Sequence, residues 1–107
     1  MKQNSEALKD LIVKTLDKFK VEKVTVLNLA NKTDIADYMI IATGRSTKHI
    51  SSTADLVITA IKDNGFPCLS EGLNNSDWVL VDAFSVIVHI FNEEKRNIYD
   101  LEKLWSE

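Results

Sequence analysis

The sequence predicts an α/β fold, a mixed five-stranded sheet with helices packed against it in the order α-β-β-α-β-β-β-α. Three observations predict it. Two stretches, residues 5–20 and 47–64, place apolar residues at helical spacing. A continuous apolar run, Tyr38 to Thr43, ends at Gly44 and has the pattern of a strand buried on both faces. Two further runs, Asp77 to Ala83 and Ser85 to Phe91, alternate and lie close enough to form a hairpin.

The elements follow in order. Leu8, Leu11, Ile12, Leu16 and Phe19 form one helical stripe. Val24, Val26, Leu27 and Leu29 make a short strand, and the polar segment 31–37 reads as a loop. After the run 38–43, Ser46 is a good N-cap. The helix it starts carries Ile50, Ala54, Val57, Ile58 and Ile61 on one side and closes at Gly65, a natural C′ residue. Pro67 stops that helix from continuing, and residues 67–71 form a short strand ending at Glu71-Gly72. Leu73 to Ser76 is a polar, Asn-rich connection. Asn92 caps a last helix, with Glu93 and Glu94 in its first turn where the dipole favours carboxylates, and a stripe of Ile98, Leu101, Leu104 and Trp105. The alternation of strand, helix and strand in the middle implies a right-handed parallel crossover.

Length and composition narrow the function. At 107 residues the chain suits one domain, with room for one core and not for a deep cavity beside it. That favours a binding surface over an enclosed active site. The single cysteine, Cys68, makes neither an internal disulfide nor a metal cluster, and a buried strand thiol is its expected state. No apolar run approaches the roughly 20 residues of a membrane span. The segment Met1 to Lys9 is polar and does not read as a signal peptide, so the cytoplasm is the expected compartment. The net charge is −3, and Lys14, Lys18, Lys20 and Lys23 are interleaved with Asp17 and Glu22. Direct nucleic-acid contact is therefore expected to be minor or absent, and a basic protein is the better partner.

The hairpin carries the most information. With the turn placed at Asp82 to Ser85, Val81 faces Val86, Leu80 faces Ile87, Val79 faces Val88 and Trp78 faces His89. One face then holds Val79, Val81, Val86, Val88 and Ile90, a core face. The other holds Trp78, Leu80, Asp82, Ile87, His89 and Phe91. Pattern alone leaves two readings of this mixed face open. Helices cover it, with its polar groups hydrogen-bonded inside, or it is an exposed apolar patch rimmed by polar residues that binds a protein.

Catalytic readings are weaker. His49 and His89 lie on different elements, and one cysteine with two histidines does not make a zinc site. Thr43-Gly44-Arg45-Ser46 joins a strand to a helix N-terminus and could hold a phosphate. A nucleotidyltransferase-like enzyme using Ser46 and Glu71 is the alternative this turn raises. Such enzymes need a carboxylate pair for metal, however, and only Glu71 follows the second helix, while Asp34 and Asp37 precede the turn. Capping explains Ser46 without chemistry, and no cofactor, metal or catalytic residue is expected.

Asp37-Tyr-Met-Ile-Ile-Ala-Thr-Gly-Arg-Ser46, Glu71-Gly72, Asp77-Trp78-Val-Leu-Val-Asp82, Val88-His89-Ile-Phe91 and Tyr99-Asp-Leu-Glu-Lys-Leu-Trp105, in this order and spacing, resemble the ribosomal silencing factor (Iojap or YbeB-like) family. The resemblance spans nearly the whole chain, and so implies one such domain over residues 1–107. The turn at Ala83-Phe84 departs from it in lacking the glycine many members carry. It implies a nucleotidyltransferase-like fold without activity. It also implies binding to the large ribosomal subunit, through that subunit's fourteenth protein at the intersubunit face, which blocks small-subunit joining and represses translation when nutrients are scarce. Carried over residue by residue, the docking surface includes Trp78, Leu80, Asp82 and His89, with Glu71 and Tyr99. An exposed apolar hairpin face would also favour a homodimer in the free state.

Overall fold

The computed structural model describes residues 2–73 and 77–106. Helix α1 (Lys2–Lys18) begins earlier than its apolar stripe, and Lys20 ends it by taking a left-handed backbone, φ 56°. Strands β1 (Glu22–Asn28) and β2 (Tyr38–Thr43) pair antiparallel, with an irregularity between Glu22 and Thr25 where Lys23 has φ 52°. Helix α2 (Thr47–Asp63) follows, then β3 (Leu69–Glu71), β4 (Trp78–Asp82) and β5 (Val86–Phe91). The sheet order is β1-β2-β5-β4-β3. β2 is parallel to β5, and β5-β4-β3 are antiparallel neighbours. It follows that β2 and β3 run parallel, joined by α2 across two intervening strands. The Asn-rich connection expected before β4 falls on residues 74–76, outside the described residues.

α1 and α2 cover one sheet face. Leu8, Ile12 and Leu16 of α1 and Ile50, Ala54, Val57 and Ile61 of α2 close over Val79, Val81, Val86, Val88 and Ile90. Each large apolar side chain removed from water here contributes about 1.5–3 kcal/mol. α2 ends as its glycine requires. Gly65, at φ 84°, donates to the Lys62 carbonyl at 3.0 Å, and Phe66 donates to that of Ile61 at 3.1 Å, the paired bonds of a Schellman cap.

Three expectations need correction. The hairpin register is shifted by two, so that Trp78 pairs with Phe91, Leu80 with His89 and Asp82 with Ile87. The tight turn is Ala83 to Val86, closed by Ala83 N–H donating to Val86 O at 3.0 Å. Phe84 takes the left-handed conformation there, φ 70°, and its N–H donates to Asp82 Oδ1 at 2.9 Å. An even shift preserves the faces, so the division of side chains between them holds. Second, the last helix is two. α3 (Glu93–Tyr99) stops at Asp100, which sits at φ 43°, and α4 (Leu101–Ser106) starts in a new direction. The expected stripe therefore does not bury as one, and Ile98 and Leu104 are 63% and 66% exposed. Third, β3 is three residues long, so Cys68 lies just outside it and is half-buried.

Candidate functional site

The second sheet face is divided. Alternation along the paired strands puts Leu69 and Glu71 of β3, Trp78, Leu80 and Asp82 of β4, and Ile87, His89 and Phe91 of β5 on this side. α3 and α4 cover the part toward β1 and β2, where Leu29, Met39, Ile41 and Phe91 form a second small core with Leu27, Trp78, Leu101 and Trp105 against it. Among the described residues, no helix lies over the part toward β3. Leu80, Asp82 and Ile87 are partly exposed, and Leu69 at the sheet edge is 63% exposed. One half of the mixed face is thus covered by helices, and the other half is left partly exposed.

Trp78 stands on the boundary. Its Nε1–H donates to His89 Nδ1 at 3.0 Å, and its ring meets Tyr99 at 4.6 Å and Phe91 at 5.6 Å between centroids. Because Nδ1 accepts that bond, His89 is the neutral tautomer protonated at Nε2. Burial pushes its pKa down to about 4, in agreement with the same neutral form. Beside Trp78 an open groove of about 400 Å³ is lined by Glu71, Gly72, Trp78 and Leu80. It continues into a smaller recess lined by Leu69, Ser70, Glu71, Leu80 and Asp82. Five of the six residues singled out from sequence, Glu71, Trp78, Leu80, Asp82 and His89, share this face. The sixth, Tyr99, reaches it from the end of α3.

Arg96 was not singled out from the sequence, and it sets how far the cover extends. The residue is 6% exposed. It forks onto Glu102 (Nε to Oε1 2.8 Å, Nη2 to Oε2 2.9 Å), and also donates to Lys23 O at 2.6 Å, Thr43 Oγ1 at 2.8 Å and Thr25 Oγ1 at 3.0 Å. This fixes α3 and α4 to β1 and β2. Residues six apart stand about 120° around and about 9 Å along a continuous helix, so Arg96 and Glu102 meet only because the chain breaks at Asp100. That Arg96 pair holds the Glu102 carboxyl below the usual carboxylate range.

The residues of the catalytic alternative are kept apart. Ser46 Oγ accepts the His49 N–H at 3.0 Å as an N-cap, and Gly44 is needed because a Cβ there would collide with the Ile50 side chain. Two strands separate β2, which leads to Ser46, from β3, which carries Glu71. At about 4.8 Å per strand, that is roughly 14 Å across the sheet. His49 uses both ring nitrogens at the α1–α2 junction, Nδ1 accepting from Arg45 N–H and Nε2 bonded to Phe19 O, each at 3.0 Å. It is on the opposite side of the sheet from His89. Among the described residues, no group of three or more His, Cys, Asp or Glu could hold a metal ion, and no helix is long and apolar enough to cross a membrane.

The family model described as "Ribosomal silencing factor during starvation" matches residues 2–107. Ribosomal silencing factor RsfS of Haemophilus influenzae is 41% identical over 101 residues, covering 94% of this chain and 99% of that protein. Mitochondrial assembly of ribosomal large subunit protein 1 of mouse is 29% identical over 103 residues, 91% of this chain and 44% of its own length. A Chromobacterium violaceum protein of known crystal structure superimposes with a TM-score of 0.91 at 32% identity, covering 94% of this chain and 85% of that one. The chain belongs to the ribosomal silencing factor family.

Proposed function

We propose that this chain represses translation by steric occupancy, without catalysing a reaction. Its uncovered half-face docks on the large ribosomal subunit, on the fourteenth protein of that subunit at the intersubunit face, and excludes the small subunit. Trp78, Leu80, Asp82, His89, Glu71 and Tyr99 form the docking surface. The observation that carries this reading is the boundary position of Trp78. A large aromatic side chain, held by His89 and Tyr99, borders a groove and an apolar sheet surface over which no helix lies among the described residues. Such pre-positioned tryptophans recur as binding hot spots, because little side-chain entropy is left to lose. Family membership points to the ribosome, and the name of the mouse relative to the large subunit. The net charge of −3 suits a basic protein partner and disfavours extensive contact with ribosomal RNA.

A standard interface of about 800 Å² per partner is within reach of a domain this size. The same face is where two free copies would pair, and dilution in sedimentation reads that equilibrium. The decisive experiment adds the protein to separated ribosomal subunits and follows joining on a gradient. Joining falls with the wild-type protein and recovers with Trp78→Ala, whose binding to large subunits is weaker by about 2 kcal/mol or more. Unimpeded joining at saturating protein, or undiminished co-sedimentation of a folded Trp78→Ala variant, rejects the reading.

A further inference from the structure

We infer that the groove lined by Glu71, Gly72, Trp78 and Leu80 is a subsite for one arginine side chain of the protein partner. This deepens the docking reading and rests on it for the partner's being a protein. The register pairs Glu71 with Leu80, so carboxylate and aliphatic side chain stand side by side on one face, with Trp78 two residues along the same strand. Gly72 follows at φ 85°, turning the chain away and adding no side chain to the groove wall. The groove therefore offers an aromatic ring, an aliphatic wall and an anion within about 400 Å³.

Each surface matches one part of an arginine. The methylene stem packs on Leu80, the planar guanidinium stacks on the indole, and its fork of N–H donors meets the carboxylate. Glu71 is exposed, and no hydrogen bond or ion pair engages its carboxylate among the described residues. The facing groups leave it free for an incoming cation. His89 is neutral, with Nδ1 committed to Trp78, and Asp82 Oδ1 is committed to the Phe84 N–H. The indole is fixed by His89 and Tyr99, so the ring stands ready before the cation arrives. A guanidinium is also more weakly hydrated than an ammonium and less costly to bring against an apolar wall, which favours arginine over lysine.

The test uses the intact chain and two kinds of probe. In an NMR titration, N-acetyl-arginine amide at about 10 mM, the scale of one weak contact, shifts the Trp78 indole N–H and the Glu71 and Gly72 amides. N-acetyl-citrulline amide, isosteric and uncharged, leaves them in place; the lysine analogue shifts them less; and Glu71→Gln abolishes the arginine response. Equal shifts with citrulline or lysine, an undiminished response in Glu71→Gln, or no shift at these residues overturns the subsite. With purified large subunits, Glu71→Gln binds about ten-fold more weakly at low salt and loses part of the salt dependence of the wild type. Glu71→Gln binding as tightly as wild type at every salt concentration also overturns the subsite, and leaves the docking face standing. Failure of the wild type to bind large subunits, with the arginine response intact, removes the ribosomal reading and leaves the subsite.

Discussion

The Trp78 indole N–H donates to His89 Nδ1 at 3.0 Å, which makes the histidine a neutral acceptor and ties the indole in place. Protonation of His89 would replace that lone pair with a second N–H aimed at a donor. The folded-state pKa of about 4 lies below the ordinary 6.5, so the unfolded chain binds the proton more readily. The neutral ring's contribution is complete above pH 6.5 and is lost as the pH falls from there to about 4. It amounts to about 3 kcal/mol at most, since the side chain is 9% exposed. Urea unfolding of wild type and His89→Gln at pH 7 and pH 4.5 isolates it. The stability difference between the two proteins narrows at the lower pH; an unchanged difference removes the assignment.

Arg96 gives the second prediction. Four acceptor groups converge on one buried guanidinium, and truncation leaves them without their shared donor. Arg96→Ala costs about 3 kcal/mol, the scale for breaking a buried pair. Arg96→Lys recovers little of that, because one ammonium cannot reproduce the fork. Glu102→Gln is milder, as its carboxylate is partly solvated. Hydrogen exchange locates the effect, with Leu101–Ser106 losing protection in Arg96→Ala while α1 and α2 keep theirs. Uniform loss across the molecule would show that Arg96 does not act on the cover alone.

These two residues also mark where the sequence stops being readable. The strands, the α2 caps and the division of the hairpin into two faces follow from periods of 2 and 3.6 and from turn chemistry, all local properties. The partners across the hairpin do not, because a two-residue slip leaves the alternation unchanged. The break at Asp100 carries no local signal either. What spans it is Arg96 bonding to Glu102, and Arg96 is itself anchored to Thr43 and Thr25, 53 and 71 residues away in sequence. Whether the mixed face was open therefore depended on a tertiary bond, and the helical stripe that Ile98 and Leu104 suggested could not reveal it.

Phe84 is strained where a glycine would be relaxed. A non-glycine residue at φ 70° in a turn costs about 1 kcal/mol. Its side chain is largely exposed, so little burial is forfeited by removing it. Phe84→Gly raises the unfolding free energy by up to about 1 kcal/mol in urea titration. A loss of stability would mean that the ring makes contacts outweighing the backbone strain.

Gly44 supplies the converse case. It is buried at the end of β2, where Gly44 N–H donates to Phe91 O at 3.0 Å and links the two parallel strands. Its Cα faces Ile50, the first fully buried residue of α2, and an added Cβ would collide with the Ile50 side chain and lie 3.4 Å from its Cα. The backbone of α2 cannot retreat without lifting Ile50, Ala54 and Val57 from the core, so the methyl group acts as overpacking. Gly44→Ala lowers stability by about 1–3 kcal/mol. In the double variant Gly44→Ala, Ile50→Ala the clashing Cγ1 is gone, and the cost falls below the sum of the two single changes. Thermal unfolding of the four proteins measures that coupling. Strict additivity would show that the glycine answers some need other than the approach of Ile50.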